Sequence, residues 1–508
     1  MKAERKIAFD VEKYLEEQTR EILQRIERFD NKLYLEFGGK LIFDYHAARV
    51  LPNFDPNLKM RLLQKIKDRI NVILCIYAGD IDRKKVRADF GITYDIDVLK
   101  LIDDLRRDWG LEITAVVITR YEEQLSAQLF KNKLERRNIR VYTHHATRGY
   151  PTDVDLIVSK EGYGRNTYIE TTQPLVVVTG PGPGSGKLGT CLSQLYHEYE
   201  RGVRAGYAKF ETFPIWNLPL KHPVNVAYEA ATADLKDVNV IDPFHLEAYG
   251  QTATNYNRDV EAFPLLKRIL EKITGTESFY RSPTDMSVNR VGFGIVDEEQ
   301  VREAARQEII RRVLRYRCEY MMGLVDRETV ERVELFMNEL GIQVEDRRVV
   351  PPAREAARQA EHKKKGHNGV YCGTAIELHN GAIITGSNSP LMHAATSAVL
   401  NAIKYLAGIP DEIHLISPHI IEAISEMKRD MKDDKDISLD LEEALIAVGA
   451  STPLNTATKL AVKQLKNLKG CDMHMTHIPT PGDEAGLRGL GINLTSDAFF
   501  STERLYIT

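Results

Sequence analysis

Five short apolar runs, Leu33–Phe37, Val72–Tyr77, Ile113–Ile118, Val141–Thr143 and Leu175–Val178, are spaced along the first part of the chain with helical patterns such as Met60–Ile70 and Val98–Arg107 between them. A strand with one face in water alternates apolar and polar residues, whereas a near-continuous apolar strand has to be covered on both faces. Such strands alternating with amphipathic helices predict an α/β fold around a mostly parallel sheet. Glycine and proline clusters mark the turns: Gly38-Gly39, Gly79-Asp80 and Gly149-Tyr150-Pro151. A helix precedes the first strand, with Val11, Tyr14, Leu15, Ile22, Leu23 and Ile26 on one face.

A chain of 508 residues exceeds what one hydrophobic core serves, so more than one domain is expected. The long helical patterns Gln300–Met322 and Arg327–Leu340, the second ended by Gly341, are followed by the polar stretch Arg354–His367. The predicted boundary is at residue 325. An α/β region covers 1–325, with 1–170 and 171–325 as its two possible subdomains, and a smaller α/β domain covers 326–508. In the second, Asn380-Gly381 between Thr374–Leu378 and Ala382–Thr385 signals a β-hairpin over 374–385. The apolar helix Leu391–Leu406 carries Ala394, Ala395, Ser397, Ala398 and Ala402, small residues that permit close packing and predict a homo-oligomer.

Composition excludes several classes. A formal net charge of -4 offers no basic excess for a nucleic-acid backbone. No run of 18 apolar residues exists to span a membrane, and Met1–Asp10 has no apolar stretch fit for a signal peptide. The five cysteines (Cys75, Cys191, Cys318, Cys372 and Cys471) are odd in number and scattered, which fits reduced thiols in a cytoplasm.

The strongest chemical signal is Val176–Lys187, a buried strand running into Thr179-Gly180-Pro181-Gly182-Pro183-Gly184-Ser185-Gly186-Lys187 and then into a helix. That order aims helix amides and a lysine at one point, and glycines let a phosphate approach the backbone. The match to G-x-x-x-x-G-K-[ST] is incomplete: Pro181 takes the first glycine position and Leu188 takes the hydroxyl position. Thr190 or Ser185 is the nearby substitute for that hydroxyl. The alternative is a tight turn that needs glycine for backbone reasons only. The phosphate reading assigns Gly180, Gly182, Gly184, Ser185, Gly186, Lys187 and Thr190 to a nucleotide such as ATP. Val238–Ile241 ends in Asp242, the position where nucleotide-binding sheets hold a metal carboxylate such as a magnesium ligand, so Lys187 and Asp242 are the candidate catalytic residues; the alternative for Asp242 is a strand terminus with a capping aspartate before Pro243. Weaker signals are Glu229 with Asp234, the polar loop Arg281–Met286, and His474 and His477 with Asp483 and Glu484 as a metal cluster. A strand pair before a helix suggests a zinc deaminase, but that chemistry needs H-x-E and P-C-x-x-C. Here Ala394-Ala395 follows His393, and no C-x-x-C exists.

Several segments together resemble one bacterial family: Leu35–Leu41, Tyr77–Ile81, Asp89–Asp95, Gly180–Lys187, Lys209–Pro214, Ile241–His245 and Ser282–Met286. It is a family of proteins of similar length, known as a domain of unknown function, number 1846, and the likeness covers almost the whole chain. The resemblance implies an N-terminal and a C-terminal domain and no established reaction. Some members are labelled ATP-dependent protease, yet this chain has no H-E-x-x-H, no G-x-S-x-G and no serine–lysine site. Two readings stand. One is an ATP-dependent phosphotransferase or ligase acting on a small acid or amine; the other is a non-catalytic nucleotide or anion sensor.

Overall fold

The computed structural model describes residues 7–87, 91–367, 369–432 and 438–501. Asp89 and Phe90, in the family-like segment Asp89–Asp95, and the first six residues considered for a signal peptide lie outside the described residues. The chain forms two compact units, Met1–Arg306 and Gln307–Thr508, so the division falls inside the helix Glu298–Met321.

The first unit is built on six strands: β1 (Leu33–Phe37), β2 (Ile70–Tyr77), β3 (Ala115–Thr119), β4 (Val141–His144), β5 (Leu175–Thr179) and β6 (Gly206–Phe210). All five pairings are parallel and the order is β4-β3-β2-β5-β1-β6. β1, β3 and β5 are buried at every position, as their apolar sequences require. β6, Gly-Tyr-Ala-Lys-Phe, is the strand that apolar runs do not reveal, because a glycine and a lysine interrupt it. The opening helix α1 (Val11–Glu27), capped by Asp10, buries Tyr14, Leu15, Ile22 and Ile26. α2 (Tyr94–Arg107) precedes β3, and α3 (Lys187–Glu200) follows β5 and packs on one sheet face through Cys191, Leu192 and Leu195.

The run ending at Asp242 stands apart from this sheet. β7 (Asn239–Ile241) pairs antiparallel with β8 (Thr254–Tyr256), and Asp242 then caps α4 (Pro243–Tyr249). α5 (Asn257–Thr274) continues directly from β8.

The second unit has a four-stranded mixed sheet of β9 (Gly373–Glu377), β10 (Ile383–Ser387), β11 (Asp472–Met475) and β12 (Asn493–Ser496), in the order β10-β9-β11-β12. β9 is antiparallel to both neighbours, and β11 and β12 are parallel. α6 (Val350–His362) packs against β9 through Ala353, while α7 (Ala394–Ala407), α8 (Leu441–Ser451) and α9 (Pro481–Leu490) share the larger core. Ala394, Ala395, Ala398 and Ala402 are buried, and the last three line that core. Four of the five small residues that suggested self-association are therefore buried inside the unit, and Ser397 is half-buried.

His144, at the end of β4, gives the first unit an acid sensitivity. It is buried, its Nε2 donates to Thr167 O at 3.2 Å, and its Nδ1 has no partner. Burial pushes its pKa down to about 4. The unfolded chain takes up this proton near pH 6.5, so the stability is full above that value and is lost as pH falls toward about 4. The loss expected is about 3 kcal/mol. His144→Gln should flatten that part of the profile in urea midpoints; an unchanged slope would show that His144 is not the titrating group.

Candidate functional site

Parallel sheets bind ligands beyond the carboxyl ends of their strands, where neighbouring connections leave in opposite directions. Here β2 and β5 are neighbours. From β2 the chain goes to β3 on one side, and from β5 it passes β1 to reach β6 on the other. Ala78-Gly79-Asp80 and the loop Gly180–Lys187 follow these two strands and therefore flank that point.

The loop's geometry depends on its glycines. Gly184 has φ +74 and Gly186 has φ +91, a region that residues with a Cβ rarely occupy. A Cβ on Gly180 would lie 2.3 Å from the carbonyl oxygen of Cys75, so only glycine lets the loop cross β2 this closely. Gly186 caps α3, whose first amides have no intrahelical acceptors. Lys187 opens the helix and turns back over the loop, its Nζ 3.2 Å from Gly182 O and 3.5 Å from Ser185 Oγ. Pro183 and Gly184 are exposed, whereas Ser185 is fully buried. Thr190 is also buried, and its hydroxyl accepts from Cys75 Sγ at 3.4 Å, on the sheet side of the helix.

Two residues outside the loop hold it in place. Thr119 Oγ1 donates to Ser185 O at 2.8 Å. Arg120 donates to Gly184 O, and its guanidinium lies 3.4 Å from the centre of the Tyr77 ring. Arg120 has φ +49, a strained conformation for a residue with a side chain, of the kind found where the surroundings over-determine a functional position. A small depression open to solvent adjoins the start of the loop, lined by Gly39–Phe43, Gly180, Pro181 and the α2 residues Asp97, Lys100, Leu101 and Asp104.

On the other side of the loop, β1 and β6 contribute charge. Lys209 Nζ lies 2.5 Å from Asp259 and 3.2 Å from Glu211, and Tyr207 donates to the buried Glu36 at 2.8 Å. Burial alone would lower the Lys209 pKa, but Asp259, Glu211 and Glu36 outweigh it and raise the value. Burial, with Asp259 and Glu36, lifts Glu211 above the usual carboxylate range against the pull of Lys209. The Glu211 side chain packs onto Gly38, where an added Cβ would lie 2.0 Å from its oxygen. Glu36 and Lys187 both act on the buried thiols of Cys75 and Cys191, which puts the acidic group and the loop in one electrostatic neighbourhood.

The sequence-derived residues thus fall into three places. Gly180, Gly182, Gly184, Ser185, Gly186 and Lys187 form one loop, while Thr190 faces the sheet. Asp242 is fully buried elsewhere; it accepts from His245 N at 3.0 Å, Thr284 N at 3.2 Å and Thr284 Oγ1 at 2.6 Å. His474 is enclosed by Thr495 and Asp497, and Asp497 is held by two bonds from Arg354. Among the described residues, no group of three or more His, Cys, Asp or Glu side chains has the geometry to hold a metal ion, and no helix is long and apolar enough to cross a membrane. Arg120 escaped the sequence reading because no local pattern surrounds it, and Glu36 and Glu211, though inside family-like segments, carried no pattern that assigns them a role.

Four of the family-like segments, Leu35–Leu41, Tyr77–Ile81, Gly180–Lys187 and Lys209–Pro214, meet at this one sheet edge. The other two fully described segments meet each other through Asp242–Thr284 and through His245 Nδ1 and Ser282 Oγ at 3.2 Å. Family models agree. "Domain of unknown function DUF1846, N-terminal" matches residues 7–341, and its C-terminal counterpart matches 345–506. The chain belongs to this family. A "UPF0371 protein" of Clostridium botulinum (strain Langeland) is 58% identical over 502 residues, 99% of each chain. A UPF0371 protein of Clostridium tetani is 57% identical over 501 residues, and one of Fusobacterium nucleatum is 58% identical over 504, again across 99% of both chains. These relatives share this chain's full length and are bacterial.

Proposed function

We propose that the N-terminal unit binds the phosphoryl group of a nucleotide or other phosphorylated metabolite on Gly180–Lys187 and transfers that group to, or activates, a small acid or amine. The observation that supports this most is the meeting of a glycine loop, a helix amino terminus and two cations, Lys187 and Arg120, at the point where the sheet's connections diverge. Phosphoryl transfer asks a protein mainly for positioning and charge neutralisation, which these groups supply. The depression beside Pro181 is open to solvent, where the rest of the ligand would extend. Glu36, Lys209, Glu211 and Asp259 stand beside the loop as the groups to orient the acceptor. Where magnesium accompanies the phosphate, Glu36 and Glu211 are the carboxylates proposed to hold it, whereas the three hydrogen bonds of the buried Asp242 give it a structural role.

The direct test is a panel of nucleotides and phosphorylated metabolites, each with magnesium, read by thermal melting. A rise of several degrees with one ligand class is expected, and no rise with any of them would overturn the reading. Turnover with candidate acids and amines then separates the enzyme from a non-catalytic sensor. Arg120→Ala should weaken the identified ligand by about tenfold to a hundredfold, because a charge-assisted hydrogen bond is worth about 1.5–3 kcal/mol. The unliganded melting temperature should change little, since this side chain is exposed. Titration calorimetry giving the wild-type affinity for this variant would remove Arg120 from the site.

A further inference from the structure

The hydroxyl and the carboxylate with which a phosphate loop holds magnesium are both engaged elsewhere in this fold. In such a loop the residue after the lysine supplies the hydroxyl. Here that residue is Leu188, which packs against the core beneath α3. The two nearby hydroxyls are occupied. Thr190 accepts from Cys75 Sγ on the sheet side of the helix, and Ser185 is fully buried with its Oγ 3.5 Å from Lys187 Nζ. Asp242, the strand-end carboxylate, accepts three hydrogen bonds in another part of the unit. The carboxylates beside the loop are engaged as well. Lys209 Nζ stands 2.5 Å from Asp259 and 3.2 Å from Glu211, in the place of a divalent ion that would bridge them. Glu36 accepts from Tyr207, and Asp80, after β2, is paired with Arg83.

The loop's own donors suit one phosphate. A loop for a nucleoside triphosphate uses backbone amides along its length to cradle the α- and β-phosphates. Pro181 and Pro183 have no N–H, so between Gly180 and Gly184 only Gly182 offers an amide. Past the prolines, the consecutive amides of Gly184, Ser185, Gly186 and Lys187 have no acceptor among the described residues. Consecutive free amides that end at a helix amino terminus form a concavity for a single anion. Lys187 and Arg120 reach this loop through the carbonyl oxygens of Gly182 and Gly184. Their two positive charges match a phosphomonoester, which carries about -1.5 to -2 at pH 7.

We propose that Gly180–Lys187 holds the single phosphate of a phosphomonoester without a divalent ion, rather than a metal–polyphosphate complex, an inference that rests on the phosphate reading of the loop and narrows its ligand class. The free amides take the phosphate oxygens, Lys187 and Arg120 neutralise the dianion in place of magnesium, and Lys209 fills the position between the carboxylates. Burial alone would favour a neutral Lys209, but Asp259, Glu211 and Glu36 raise its pKa. Its ammonium therefore stays charged wherever a phosphomonoester is a dianion, and the place between Asp259 and Glu211 stays filled.

The test is titration calorimetry of the full-length chain with two probes, inorganic phosphate and inorganic tripolyphosphate, each in EDTA and again with excess magnesium. Phosphate should bind in EDTA, and magnesium should change its dissociation constant by less than about twofold. Lys187→Ala should weaken phosphate by about tenfold or more, which places the binding on the loop. Phosphate that binds only with magnesium, or magnesium tripolyphosphate that binds more than about tenfold tighter than phosphate, would overturn the proposal and leave the phosphate reading standing. If neither probe binds, or if a folded Lys187→Ala chain binds phosphate as tightly as the wild type, that reading falls and the proposal falls with it. The magnesium comparison uses the wild type, so it decides the metal question even if the variant does not fold.

Discussion

Lys187→Ala should weaken binding of a phosphorylated ligand tenfold to a hundredfold while lowering the stability of the unliganded chain by less than about 1 kcal/mol. In the empty loop, Lys187 Nζ makes only the 3.2 Å contact to Gly182 O and a marginal 3.5 Å contact to Ser185 Oγ. A bound phosphate replaces these with a charge-assisted contact worth about 1.5–3 kcal/mol. At a ligand concentration near 100 times the dissociation constant, the wild type gains about 2.7 kcal/mol, a shift of several degrees in melting temperature. The same ligand at the same concentration should give the variant only about 0.4–1.4 kcal/mol, half of that shift or less. Titration calorimetry on both proteins measures the ratio directly. Equal affinities would reduce the loop to a tight turn and end the nucleotide reading.

Asp242→Ala should destabilise the N-terminal unit by about 3 kcal/mol or more. The carboxylate is the amino-terminal cap of α4 and also accepts both Thr284 donors, all in a site with no exposure. Loss of a cap costs about 1 kcal/mol, and each buried donor left unsatisfied adds about 1–3 kcal/mol. Asp242→Asn should cost about 2 kcal/mol, since one oxygen survives for the cap while an amino group meets the Thr284 donors. Urea or thermal unfolding of the two variants measures both figures. A folded Asp242→Asn chain also tests the magnesium assignment. Wild-type stability together with lost magnesium-dependent ligand binding would reverse the reading and make Asp242 a metal carboxylate.

Much of this architecture was present in local pattern. Apolar runs such as Leu175–Val178 can only be satisfied in a sheet covered on both faces, so periodicity and burial alone require the parallel core. The glycine loop was equally legible, because positive φ at Gly184 and Gly186 and the close crossing at Gly180 demand glycine whatever the loop binds. What local pattern does not carry is which strand ends meet. Strand order is set by non-local pairing, and it inserts β5 between β2 and β1. That insertion brings Arg120, Glu36 and Glu211 to a loop distant from them in sequence. The same non-local pairing takes β7 out of the main sheet, so Asp242 reads as a strand-end carboxylate in sequence and is a saturated cap in the fold. His393 and Asp483 are 90 residues apart and share one hydrogen bond only because three helices start at the same place. The sequence by itself determined the elements and the conformational need for glycine, since both depend on neighbours along the chain. Tertiary structure decided which charges share a site, since that depends on which distant surfaces must be buried together.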